Sequence, residues 1–185
     1  MIRTAIAVQK AAMRDIPKVL DLINSYAANG IMLPRTEFEM SENIRDFSVA
    51  YDEERLVGCG ALHFYTPTTA EIRSLAVLPA VKEQGIGRAI VEALEAEARE
   101  NDLESIFAFT YVPPFFKRLG FSEVERGELP LKVWKDCLRC PKFHHCDEIA
   151  VLKRLRLSRS DAHGRNRDYF SGELIALPTI SATYR

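Results

Sequence analysis

The sequence has no excess of charge of either sign: 25 Lys and Arg stand against 26 Asp and Glu, a formal net charge of -1. That excludes the strongly basic chains that grip nucleic acid and the strongly acidic chains that stay solvated. It also has no apolar run approaching the length that spans a bilayer. The opening MIRTAIAVQKAAMRD is interrupted by charge too early for the apolar region of a signal peptide. Neither a membrane nor a nucleic-acid partner is expected, and the expected compartment is the cytoplasm. Four cysteines are too few for a disulfide scaffold in a chain of 185 residues. What is there is 47% hydrophobic and 28% charged. That is enough for a sizeable core in one domain, or one domain with a tail.

Hydrophobic patterning gives the order of elements. Residues 2–12 alternate as a first strand. Asp15 suits a helix N-cap, with Pro17 in the first turn and Ile16, Val19, Leu20 and Ile23 at helical spacing. Gly30 is a C-terminal stop. Residues 31–38 read as a loop, and Ser41 as the cap of a short second helix ending at Asp46. A hairpin follows, strands 47–51 and 56–65 about the turn Asp52-Glu53-Glu54-Arg55. Residues 71–77 form another strand and residues 85–101 the strongest helix, its apolar stripe running through Ile86, Ile90, Val91, Leu94 and Ala98. Strand 105–111, a short helix at 115–119 closed by Gly120, and strands 121–125 and 148–155 complete the pattern.

The chemistry is concentrated where strand 71–77 runs through a loop into that long helix. Gly85 and Gly87 let backbone approach a ligand without a Cβ in the way. A helix N-terminus offers unpaired N–H groups and about half a positive charge, which together bind phosphate. No Gly-Lys-Ser or Gly-Lys-Thr is present, so a nucleoside-triphosphate P-loop is excluded. A third glycine at dinucleotide-fold spacing is missing too. Two glycines at a helix start most often mean tight packing alone, so the loop needs a second signal.

That signal is a resemblance. Lys82-Glu83-Gln84-Gly85-Ile86-Gly87 resembles the acetyl-CoA motif Arg/Gln-x-x-Gly-x-Gly/Ala of the GNAT superfamily of N-acetyltransferases, with Lys82 where Arg or Gln is usual. Phe115-Phe116-Lys117-Arg118-Leu119-Gly120-Phe121 resembles that superfamily's second signature. Leu33-Pro34-Arg35-Thr36, Gly58-Cys59-Gly60-Ala61-Leu62, Glu71-Ile72-Arg73-Ser74-Leu75 and residues 129–148 look like the short amino-acid N-acetyltransferases related to N-acetylglutamate synthase. The resemblance implies an α+β fold, an α/β/α sandwich with a mixed, mostly antiparallel central sheet flanked by helices, over residues 1–155. It implies acetyl-CoA as co-substrate and, at its narrowest, L-glutamate as acceptor in the first step of arginine synthesis. The alternatives are another amino acid or small amine, or an acyl-CoA sensor without chemistry.

Roles follow from that resemblance and from the reaction. Main chain at Leu75, Ala76 and Val77 is expected to hold the pantetheine and polarise the thioester carbonyl. The turn formed by Lys82, Glu83, Gln84, Gly85, Ile86, Gly87 and Arg88 is expected to hold the diphosphate. An ammonium must lose a proton before attack. Glu71, where the superfamily often carries a carboxylate base, is the candidate, and His63 is the alternative. Period-two alternation puts Arg73 on one strand face with Glu71, Leu75 and Val77. Arginine forks bind carboxylates bidentately, so Arg35 and Arg73 are the candidates for glutamate, with Lys117, Arg118 and Lys132 secondary. The superfamily's usual proton donor to the leaving thiolate is a tyrosine, and Phe116 occupies its position. Tyr111 is the nearby substitute; otherwise solvent protonates the thiolate.

Cys137, Cys140 and Cys146, with His144 and His145, fall within ten residues. Three thiols and an imidazole could complete a zinc shell. The spacing lacks a second Cys-x2-Cys, and a reduced, partly buried loop is the preferred reading. Cys59 reads as a small buried apolar residue. Residues 156–185 read as a solvated tail, the alternative being a segment that docks on a partner subunit in a homodimer.

Overall fold

A computed structural model describes residues 6–130, 142 and 145–156. The strands are β1 (Ala7–Lys10), β2 (Phe47–Asp52), β3 (Arg55–Thr66), β4 (Thr69–Val77), β5 (Ser105–Thr110), β6 (Ser122–Glu123) and β7 (Ile149–Arg154). The helices are α1 (Ile16–Ala27), α2 (Glu37–Asn43), α3 (Ile86–Glu100) and α4 (Pro113–Lys117). One sheet takes all the strands in the order β1-β2-β3-β4-β5-β7-β6. Every neighbouring pair is antiparallel except β4 with β5.

Helices cover both faces, as the expected sandwich requires. Val19, Ile23 and Met40 from α1 and α2 bury against Val49, Cys59, Ala61 and Ala76 on one face. Ile86, Ile90, Val91, Leu94 and Ala98 of α3 bury against Leu62, Ile72, Ile106 and Val151 on the other. The approach of α3 to β3 is close: a Cβ on Gly58 or Gly60 would stand 2.9 Å from Ile90. Only glycine leaves room for the helix there, and overpacking of such a contact costs about 1–3 kcal/mol.

Two expectations about the first fifty residues are corrected. Among the described residues the first strand is only Ala7–Lys10. Asp15 holds the N-cap position of α1 as expected, but its carboxylate bonds away from the helix: its Oδ2 accepts the Ala12 N–H at 2.7 Å and its Oδ1 accepts the Tyr51 hydroxyl at 2.8 Å. The second helix starts at Glu37, not beyond Ser41, because Thr36 and Glu39 form a capping box. The Thr36 Oγ1 accepts the Glu39 N–H at 3.2 Å, and Glu39 Oε2 accepts the Thr36 N–H at 3.0 Å. Ser41 instead bonds back to the Glu37 carbonyl at 2.8 Å within the helix. A separate 3-10 turn, Ile44–Asp46, then carries Asp46 to the sheet. Near the end of the fold, the strand expected at 121–125 contracts to β6.

Candidate active site

The site begins with a break in the ladder. β4 and β5 pair over only three residues, Thr69↔Ser105, Ala70↔Ile106 and Glu71↔Phe107. Beyond Glu71, β4 continues on β3 as far as Val77, and β5 continues on β7 as far as Thr110. The two strands therefore part, leaving a wedge between main chains. Its mouth lies at their C-terminal ends, where α3 and α4 begin.

A bulge sits in the wall of the wedge. On β3, Cys59 and Ala61 are two apart, but their partners Ala76 and Arg73 on β4 are three apart. Ser74 absorbs the extra residue with φ 53. The bulge overturns the expectation that Arg73 shares a face with Leu75 and Val77. Glu71 and Arg73 lie on the face covered by α1 and α2, with their cross-strand partners His63 and Ala61. Leu75 and Val77 turn to the α3 side, where Leu75 packs against Gly60. The main chain of 75–77 still lines the wedge.

The turn expected to hold a diphosphate runs from Lys82 to Arg88 into the start of α3. Gly85 is the N-cap of α3 with φ 84, and Glu83 has φ 66. No side chain caps the first turn, and no acid lies in it. Lys82, Glu83, Gln84, Gly85 and Arg88 are exposed, while Ile86 is buried and contributes only main chain. Arg88 Nε also pairs with Glu92 at 2.7 Å along the exposed side of α3. A Cβ built on Gly87 would meet Phe115 at 3.5 Å and Val77 at 3.6 Å. The helix end thus stands beside both the end of β4 and α4. Lys82 Nζ lies 5.2 Å above the Tyr26 ring.

On the α1–α2 face, polar side chains converge. Glu71 is buried, at 9% exposure, and its Oε2 accepts the Tyr65 hydroxyl at 3.1 Å. Glu71 is therefore not an exposed strand-end carboxylate. His63 Nδ1 lies 2.6 Å from Asp46 Oδ2, and Arg73 Nη2 stands 3.8 Å from the same oxygen. The Tyr65 and His63 rings meet edge to face at 4.9 Å. The result is a connected set, Arg73–Asp46–His63 and Tyr65–Glu71. Sequence reading missed Asp46 and Tyr65. Tyr65 follows the period-two signal from His63; Asp46 carried no signal, being 17 residues away in a turn.

Arg35 is brought to this face by α1. Asn24 of α1 donates to the Arg35 carbonyl at 3.0 Å and accepts the Arg35 N–H at 2.9 Å. That two-point amide contact fixes the loop main chain just before the Thr36 box. Across the wedge, Tyr111 follows β5 and continues by alternation the face of Phe107 and Phe109. Lys142 Nζ donates to its hydroxyl at 3.0 Å and lies 4.8 Å from its ring centre. Burial raises the Tyr111 pKa above the ordinary phenol value; Lys142 opposes this, and Asp147 and Glu148 add to it. The hydroxyl therefore keeps its proton at neutral pH. Burial likewise raises the Glu148 carboxyl.

Phe116 is 3% exposed and stacks edge to face on Phe115 and Phe121 at 5.1 and 5.2 Å. It belongs to the core and reaches no reacting atom. Lys117 pairs with Glu123 at 2.9 Å, and Arg118 is exposed, so both read as surface cations. Burial pushes the Cys59 thiol up to about 12, in keeping with a small apolar residue. Cys137, Cys140, His144 and Lys132 lie outside the described residues. Cys146 is half-buried with Sγ 3.9 Å from Glu148 Oε2. Among the described residues, no helix is long and apolar enough to cross a membrane.

Comparison with known proteins agrees with this geometry. Residues 17–121 match the Acetyltransferase (GNAT) family. The chain is 44% identical over 148 residues to an uncharacterized N-acetyltransferase of Chlorobaculum tepidum, covering 80% of this chain and 96% of the other. It is 36% identical over 135 residues to an amino-acid acetyltransferase of Mycobacterium tuberculosis, covering 71% and 77%. Among solved structures, N-acetylglutamate synthase from Neisseria gonorrhoeae, complexed with coenzyme A and N-acetyl-glutamate, superposes with a TM-score of 0.76 at 26% identity. That match covers 83% of this chain but only 36% of the synthase.

Proposed function

Because the chain belongs to the GNAT family of acetyltransferases and is an acetyl-CoA-dependent acyltransferase of amino acids, we propose that its acceptor is the α-amino group of L-glutamate, acetylated by direct attack in a ternary complex. The α3 N-terminus and the turn from Lys82 to Arg88 hold the diphosphate of the cofactor. Its pantetheine arm lies in the wedge, bonded to main chain at Leu75, Ala76 and Val77 as a strand would be. Arg35 and Arg73 hold the two carboxylates of glutamate.

Glu71 takes the proton from the ammonium. The freed nitrogen then attacks the thioester carbonyl carbon, and main-chain N–H groups beside the bulge steady the oxyanion. Collapse of the tetrahedral adduct breaks the C–S bond. The departing thiolate takes a proton from Tyr111 or from water. Tyr111 is the donor we favour because it follows β5 directly, on the far side of the wedge from the bulge. His63, oriented by Asp46, stands directly across the strand pair from Glu71 and is the second group able to accept the proton.

The observation that carries this reading is the placement of Glu71 and Arg73 on one face, at the point where β4 and β5 part. The test is thiol release from acetyl-CoA across a panel of amino acids. Glutamate should give the largest release. Exchange of Arg35 and Arg73 together for alanine should abolish it, while calorimetry shows coenzyme A binding unchanged. Glutamate turnover surviving in that double variant would disprove the acceptor assignment.

A further inference from the structure

Two residues in the last turns of α1 reach apart, and one of them, Tyr26, has no place in the chemistry above. Residues two apart on a helix do not share a face. Asn24 holds the main chain of Arg35 by two hydrogen bonds of 2.9 and 3.0 Å. Tyr26 points instead to the end of the cofactor strand, where its hydroxyl donates to the Val77 carbonyl at 2.6 Å. The face of the same ring carries the Lys82 ammonium at 5.2 Å. The Tyr26 carbonyl accepts the N–H groups of Asn29 and Ile31 at 3.1 and 3.2 Å, so this residue also launches the loop that leads to Arg35.

We propose that Tyr26 is a positioning residue that couples the two substrate sites, so that coenzyme A and the acceptor amino acid each tighten the binding of the other. This rests on the reading of residues 82–88 as the cofactor site and of Arg35 as an acceptor contact. The physical device is a choice of partner for Lys82. A charge-assisted bond to phosphate is stronger than an ammonium resting on an aromatic face. Bound diphosphate therefore draws Lys82 from the ring, and Tyr26, still tethered to Val77 by its hydroxyl, resettles against that strand end. The last turn of α1 responds through both contacts, and Asn24 passes the adjustment to the Arg35 loop. Coupling through such a contiguous path is reciprocal by thermodynamic necessity.

The experiment is calorimetry on the full chain, with deacylated coenzyme A so that no turnover occurs. The acceptor is the amino acid giving the largest thiol release. In the unmodified chain its Kd should fall about fivefold or more when coenzyme A is saturating. Tyr26→Phe keeps the ring under Lys82 and removes only the bond to Val77; its Kd ratio should move towards one. Asn24→Ala should weaken acceptor binding, leave coenzyme A affinity alone and lower the same ratio. Far-ultraviolet circular dichroism confirms that each variant is folded. A ratio of one in the unmodified chain, or an unchanged ratio in folded Tyr26→Phe, overturns the proposal while leaving both site readings intact. Absence of heat with coenzyme A overturns the cofactor reading and the coupling together.

Discussion

The N-terminus of α2 and the N-terminus of α3 present the same backbone problem and solve it in opposite ways. Each leaves N–H groups without partners in its own helix. At α2 the chain supplies the acceptors itself: Thr36 and Glu39 bond reciprocally, and Glu37 and Glu39 put negative charge in the first turn. At α3 the N-cap is Gly85, which has no side chain to offer, and no acid stands in the first turn. A helix that completes its own end is a structural part. A helix whose N-cap is a bare glycine, next to a parting in the sheet, is where we place the cofactor's diphosphate.

Making α3 resemble α2 should have the largest effect. Gly87→Asp places a carboxylate in the first turn, where its Cβ meets only ordinary contacts. The KM for acetyl-CoA should rise about tenfold or more, roughly 1.4 kcal/mol per decade. Thermal stability should hold or rise, since an acid there favours the helix by about 0.3–1 kcal/mol. Steady-state kinetics and a melting curve together check it, and an unchanged KM would erase the contrast between the two ends. The reverse exchange is smaller. Thr36→Ala strips α2 of its box and should cost about 1 kcal/mol in chemical denaturation. The KM for acetyl-CoA should stay put while that for the acceptor rises modestly, because Arg35 is the neighbouring residue.

The smallest effect separates the open end of α3 from its anchored middle. Burial tends to raise the Glu95 pKa, but hydrogen bonds from Lys153, at 2.6 Å, and Arg99, at 2.7 Å, outweigh it and hold the carboxyl below the ordinary glutamate value. A depressed folded value means stability that is present above the ordinary glutamate range and lost as pH falls through and below it. Glu95→Gln retains an acceptor oxygen for both cations. The difference in melting temperature from the parent should be greatest near neutral pH and vanish in acid, with no change in KM.

The same contrast explains what could be read from the sequence. The open end was legible because two glycines and a strong apolar stripe fall together in a stretch that also resembles the GNAT acetyl-CoA motif. The closed end has its own signal in Thr36-x-x-Glu39, but residues 31–38 read as loop and Ser41, an equally good cap residue by type, as the start. The bulge at Ser74 left no trace. Arg73-Ser74-Leu75-Ala76 reads as unbroken strand, and nothing in a serine announces a positive φ. One extra residue reverses every later side chain, so Leu75 and Val77 were placed on the wrong face, although their main-chain role is indifferent to it. The Asp46–His63 contact was hidden for a different reason: it joins a turn to a strand, and no periodicity links them.

The parting of the sheet also bears on how the molecule assembles. Strands β2, β3 and β4 are joined by two tight hairpins, whereas β1 reaches β2 only after α1 and α2, and β4 reaches β5 only after the whole of α3. Pairing across so long an excursion is slow, since loop closure must come before any contact repays it. That late seam, three residue pairs wide, is also what shapes the cleft. A partly unravelled molecule that kept its two hairpins but lost those three residue pairs would lack the wedge in which we place the pantetheine.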